Sequence, residues 1–171
     1  MSHIPMYVTT LLCTDNYIQD FVNTHLHDSI QYLRLSNNLL QYLNISYTQT
    51  LESMIASNNK HLHSIDARNL PMLEYVDVSY CNFTTIHSKM FQASFKLKRL
   101  IMKHNFVRTI DKSIFYNMKE LNYIDLSHNS IRCIDVQLFQ QMKINAMIGS
   151  TLIYKFHGNQ MNQTCKNAII R

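Results

Sequence analysis

One frame of apolar residues and asparagines recurs along this chain at a spacing that neither a helix nor a strand period produces. It is clearest from Leu97. Numbering that residue 1, apolar side chains fall at 1, 4, 6, 11 and 14 (Leu97, Leu100, Met102, Val107, Ile110), Asn105 stands at 9, and Phe115 and Met118 follow. Leu121 restarts the frame 24 residues later, with Ile124, Leu126, Asn129, Ile131, Ile134, Phe139 and Met142. Upstream, Leu73, Val76, Val78, Cys81, Phe83, Ile86 and Phe91 form another copy, with cysteine in the asparagine slot. Leu51, Met54, Ala56 and Asn59 open a copy whose second half, Leu62 and Ile65, runs one residue late, as an insertion at Lys60-His61 would cause. Ile30, Leu33, Leu35, Asn38, Leu40 and Leu43 make a clear copy, and Val8, Leu11, Cys13, Asn16, Ile18 and Phe21 a weaker one. Tyr154, Phe156, Asn159 and Met161 fit a last copy starting near Thr151. Such a period means that each unit buries its apolar face only against its neighbours in a stack.

The physics of one unit follows from the spacing. In a short strand successive side chains alternate between faces, so slots 4 and 6 point inward and slots 3, 5 and 7 outward. Strands from seven stacked coils, about 4.8 Å apart, build a parallel sheet roughly 30 Å long. The corner after the strand leaves backbone groups that the sheet does not pair. An asparagine amide there can both donate and accept, whereas Cys81 can do so only weakly. The expected structural column is Asn16, Asn38, Asn59, Cys81, Asn105, Asn129 and Asn159. Only 2 Gly and 2 Pro in 171 residues leave no flexible linker, so residues 1–171 read as one domain of repeats starting near 8, 30, 51, 73, 97, 121 and 151, with degenerate ends.

The LxxLxLxxN(C)xL pattern resembles the leucine-rich repeat family, and the resemblance covers nearly the whole chain. The 24-residue copies with phenylalanine at slot 19 are similar to the subclass found in Toll-like receptors, Slit proteins, small proteoglycans and short repeat proteins of large insect-infecting DNA viruses. The resemblance implies an α/β solenoid, a right-handed curved coil with a concave parallel sheet of six to seven short strands and irregular or short helical convex segments. Extracellular members carry cysteine-rich caps at both ends. Here only Cys165 hints at one.

Little in the sequence points to chemistry. No GxSxG, HExxH, CxxC or phosphate-binding glycine loop occurs, and the two glycines, Gly149 and Gly158, cannot form a phosphate cradle. His25/His27 and His61/His63 would share strand faces, but no further ligand completes a metal site. The expectation is no enzyme, no cofactor and no metal. Cys13 and Cys81 fall at buried slots. A Cys133–Cys165 bridge is conceivable, but reduced thiols throughout are expected, consistent with an intracellular protein. The N-terminal segment MSHIPMYVTTLLCTDN has no basic leader, and no apolar run is long enough for a membrane helix. Sequons at Asn44, Asn82 and Asn162 keep a secreted alternative open.

The outward slots carry the functional expectation. They present Tyr32, Arg34, Tyr75, Asp77, Arg99, Lys103, Tyr123 and Asp125, and slot 8 adds Tyr80, His104 and His128. Solenoid strand faces are the usual binding surface, and Tyr and Arg are enriched at interface hot spots. The expected function is protein–protein interaction through the concave face. The alternative is a secreted or receptor-derived ligand-binding fragment or decoy of host-interaction type. The charge of +5 is mild, and the Lys96-to-Arg99 cluster reads as a solvated face rather than a nucleic-acid site. No nucleic-acid or membrane partner is expected. Exposed end coils would favour weak end-to-end self-association, and a partner docking at Arg99 should offer an acidic group.

Overall fold

The structure, a computed structural model, describes residues 8–22, 29–116, 118–135, 137–138, 140 and 152–162. Its main feature is a seven-stranded, all-parallel sheet. The strands are β1 (Thr10–Leu12), β3 (Tyr32–Arg34), β5 (Ser53–Ile55), β7 (Tyr75–Asp77), β9 (Arg99–Ile101), β11 (Tyr123–Asp125) and β12 (Ile153–Lys155), in that spatial order. One register runs across it without a slip: Thr10, Tyr32, Ser53, Tyr75, Arg99, Tyr123 and Ile153 are lateral neighbours. That unbroken register turns a one-dimensional repeat into aligned columns of side chains.

The columns decide the core. The central residues Leu33, Met54, Val76, Leu100 and Ile124 are fully buried, as are Leu35, Ala56, Val78, Met102 and Leu126 two residues on. Burial of such side chains contributes roughly 1.5–3 kcal/mol each. Phe91 and Phe115 close the core from the return side of their coils. Phe139 and Met142 lie outside the described residues.

The return side departs from the irregular or helical segments expected. It carries short parallel strands: β2 (Asp20–Val22), β4 (Tyr42–Asn44) and β6 (Ser64–Asp66) in one sheet, and β8 (Thr85–Ile86) and β10 (Thr109–Ile110) in another. The earlier coils are only 21–22 residues long, counting from Ile30 to Leu51 to Leu73, which leaves an extended return as the economical path. Between β6 and β8 the pairing stops. Asn82 N–H donates to Leu62 O and Ala67 N–H to Met90 O, so residues 62–67 of one coil face residues 82–90 of the next, three more. The surplus opens a cleft of about 710 Å³ whose lining includes His63, Asp66, Arg68, His87, Lys89 and Asp111. His61 and His63 precede β6 rather than sharing its face, and His63 Nδ1 lies 3.0 Å from His61 O.

Asparagine amides clamp the corners. Asn105 Oδ1 accepts from Phe83 N–H (3.0 Å), while its Nδ2 donates to Val78 O (2.9 Å) and Met102 O (3.1 Å). Asn38, Asn59, Asn129 and Asn159 repeat the pattern, accepting from Ile18, Leu40, Val107 and Ile131 N–H and donating to carbonyls of their own and the preceding coil. Two slots differ. Asn16, in the first coil, is exposed and donates to Thr14 O in its own coil. Cys81 offers only a thiol, 3.5 Å from Ala56 O and Ser79 O, and burial pushes its pKa up to about 12. In the coil before it, Leu62 N–H is taken by Asn59 O instead.

Replacing Asn105 by alanine orphans an N–H and two carbonyls inside the stack. We expect a loss of about 3 kcal/mol by urea denaturation, against under about 1 kcal/mol for Asn82→Ala at an exposed amide.

Candidate functional site

The solvent face of the seven-stranded sheet gathers most of the sequence-predicted surface residues. Tyr32, Arg34 and Arg99 are exposed, and Tyr75, Asp77, Lys103 and Tyr123 are half-buried. Arg99 Cζ lies 4.6 Å from the Tyr123 ring centroid, and Lys155 Nζ lies 5.3 Å from the same centroid. Tyr123 is therefore held between cations of the preceding and following coils, a favourable contact for both. Tyr32 Oη donates to Glu52 (3.2 Å), and Lys98 pairs with Glu74 at 2.8 Å. Burial is the main cause raising the Tyr75 pKa above the ordinary phenol range.

The two aspartates expected to face a partner are occupied locally. Asp125 is buried, not exposed, and its Oδ1 accepts from Ser127 N–H (3.0 Å) and Ser127 Oγ (2.6 Å). Asp77 holds Ser79 in the same way, at 2.9 and 2.6 Å. A side chain bonding the backbone two residues on is an Asx turn, the device that bends the chain out of the strand. The D-x-S spelling of both sites carried that signal.

At the corner, one residue per coil adopts a left-handed backbone: Asp15, Asn37, Asn58, Tyr80, His104 and His128, with φ from 53° to 61°, and Gly158 at 73°. Each of these N–H groups from Asp15 to His128 donates to the carbonyl just before the corner of the next coil, as in His104 to Ser127 O and His128 to His157 O. Inter-coil spacing then places the side chains in contact. In the first three coils this makes an amide chain, Asn58 Nδ2 to Asn37 Oδ1 (2.9 Å) and Asn37 Nδ2 to Asp15 Oδ1 (2.8 Å). In the later coils it makes a ring stack. Tyr80 and His104 centroids are 4.5 Å apart and 8° from parallel, and His104 and His128 are 4.3 Å apart and 6° from parallel. His157 meets His128 edge-on at 5.1 Å. Burial, then His128 and Lys103, hold His104 below the usual imidazole pKa. His157 escaped the sequence reading because the last coil sets it one slot earlier.

Of the sequons, Asn82 and Asn162 are exposed, but Asn44 is half-buried on β4 and its Oδ1 accepts from Ser46 N–H and Oγ. The thiol expectation needs correcting. Cys13 and Cys81 are free, but Cys133 is disulfide-bonded, with its partner outside the described residues. His25, His27 and Cys165 also lie outside them. Among the described residues no group of His, Cys, Asp or Glu is arranged to hold a metal ion.

Gly158 is irreplaceable on two counts. A Cβ there would lie 2.5 Å from His128 Nδ1, at a φ that side chains rarely adopt. Gly158→Ala should cost about 2 kcal/mol and displace the His128 ring, read as a lowered melting temperature and altered imidazole proton shifts in NMR.

Comparison with known proteins agrees with this geometry. The family model described as leucine rich repeat matches residues 95–145. No curated protein matches the chain in sequence. Among solved structures, TLR13 in complex with ssRNA13 is similar at TM-score 0.69 and 25% identity, covering 81% of this chain and 20% of that one. Toll in the Drosophila Toll–Spatzle complex is similar at TM-score 0.66 and 25% identity, covering 84% and 21%. The functional domain of InlJ from Listeria monocytogenes, which includes a cysteine ladder, reaches TM-score 0.58 at 18% identity, covering 93% and 41%. The chain thus spans about a fifth of the two Toll-type structures. With its stacked parallel strands, its corner asparagines and these likenesses together, the chain has the leucine-rich repeat fold.

Proposed function

We propose that this chain is a non-enzymatic recognition module that binds a partner protein through the solvent face of its seven-stranded sheet. Leucine-rich repeat folds mediate protein or ligand recognition. One observation carries the finer reading: Tyr75, Arg99 and Tyr123 stand side by side in a single lateral row. Tyr and Arg aligned on a rigid sheet lose little freedom on binding, which suits them as anchors. Aliphatic Ile55 and Ile101 sit half-buried two residues further along their strands, giving the face apolar area between its charges. Of the similar structures, one is a complex with a protein, Spatzle, and one with an RNA. The aliphatic component favours the protein for this chain.

The disulfide at Cys133 favours the secreted or receptor-derived form of this reading over an intracellular one, because disulfides persist in oxidising compartments. Exposed Asn82 and Asn162 suit the same setting as glycan acceptors. Among the described residues no helix is long and apolar enough to cross a membrane.

Alanine at Tyr75, Arg99 and Tyr123 together should abolish capture of a partner identified by pull-down while leaving the far-ultraviolet circular-dichroism spectrum unchanged; full retention of capture sinks the reading. For the compartment, alkylation of the denatured, unreduced protein should label Cys13 and Cys81 but spare Cys133, as peptide mass spectrometry would show. Labelling of Cys133 in protein taken directly from its source would return the chain to a reducing setting.

A further inference from the structure

The ring column lies at the edge of the recognition face, and its charge surroundings differ from those of the rest of the sheet. Tyr80, His104, His128 and His157 are all exposed. Lys103 Nζ lies 5.8 Å from the Tyr80 centroid, and Arg99 and Lys155 flank Tyr123 in the same three coils. Among the described residues none of Arg99, Lys103 and Lys155 has an ion-pair partner; the ion pairs are Arg68–Asp66, Lys98–Glu74 and Lys112–Asp135. The carboxylates nearest by, Asp77 and Asp125, are held by Ser79 and Ser127. In the first three coils the same corner column ends in a carboxylate, Asp15. At this edge the later coils therefore present cations and stacked rings whose nearest carboxylates are held locally.

We propose that this edge docks an acidic protein segment, whose carboxylates lie against Lys103 and the stacked imidazoles of His104 and His128, and that docking tightens as pH falls. The proposal rests on the outward face being the recognition surface and adds to it the partner's chemistry and its control. Three unpaired cations among aliphatic Ile55, Ile101 and Ile153 suit a peptide with acidic and apolar residues better than a phosphate backbone.

The direction of the pH effect follows from the neighbours. His104 is faced by Tyr80, Lys103, Asp125, His128 and His157; desolvation, His128, Lys103 and His157 disfavour its charged form, and only Asp125 favours it. At neutral pH the free ring is neutral. A carboxylate brought against it stabilises the imidazolium, so the complex binds more protons than the free protein. By linkage, affinity then rises as pH falls from the bound-state imidazole pKa towards the lower free-state value.

The test uses a fluorescein-labelled octa-aspartate peptide and the full chain, followed by anisotropy at low ionic strength. Wild type should bind about tenfold more tightly at about pH 5.5 than at about pH 7.5, binding taking up about half a proton on average across that window. The double variant His104→Asn, His128→Asn should bind equally at both pH values. Asparagine already occupies this left-handed slot at positions 37 and 58, so the variant keeps its backbone, and circular dichroism verifies this. Lys103→Ala should weaken binding at both pH values. No binding at either pH, a pH-independent affinity, a pH effect surviving in the double variant, or tighter binding of an eight-nucleotide single-stranded RNA would each overturn the proposal. If the tyrosine–arginine triple variant loses its partner while octa-aspartate shows no pH effect, only this inference falls.

Discussion

The structure depends on one buried amide repeated from coil to coil. An asparagine at the corner satisfies three backbone groups at once, an N–H of the preceding coil and carbonyls of that coil and its own. Buried backbone groups without partners cost about 1–3 kcal/mol each, so a side chain able to donate and accept in the same place is the least costly way to turn a strand inside a packed stack. Among the described residues no buried side-chain nitrogen or oxygen lacks a partner. The clamp also fixes register: an amide that bonds the preceding coil at two points cannot slide by one residue without losing both of those bonds.

Fixed register is what gives the surface its character. Because Arg99 lies beside Tyr75 and Tyr123, and each corner residue bonds the next coil, side chains far apart in sequence stand at the inter-strand spacing of about 4.8 Å. That distance is close to the stacking distance of aromatic rings. The ring column and the cation-bracketed Tyr123 therefore need no dedicated loop. They arise wherever the repeat places rings in the same slot of successive coils.

The fold was legible because its determinants are periodic. Leu100, Met102, Asn105 and their counterparts recur at fixed spacing, and spacing is what a sequence displays directly. The strands of the return side were not legible. Ser64-Ile65-Asp66 and Thr85-Ile86 are too short to show alternation, and their pairing is set by coil length. On the surface, Tyr75, Arg99 and Tyr123 were placed by the same frame. Asp125 was misjudged because an outward slot does not guarantee an outward side chain once a serine two residues on captures the carboxylate. The disulfide at Cys133 was not legible either, since its slot lies in the loose half of a coil where spacing gives no pairing geometry.

The missing return pairing between β6 and β8 coincides with other changes. At the same junction Cys81 replaces the clamping amide, the coils lengthen from 22 to 24 residues between the starts at Leu51, Leu73 and Leu97, and the corner column passes from Asn58 to Tyr80. Three of the couplings that bind neighbouring coils elsewhere are thus weakened at one place, where the β5–β7 pairing, the corner bond from Asn58 N–H to Ser79 O and the return-side backbone bonds remain. In a linear array each interface contributes separately to cohesion. The molecule is accordingly two blocks joined at a seam, each with its own internal grammar, and the seam is where a pulling force or local melting would divide it.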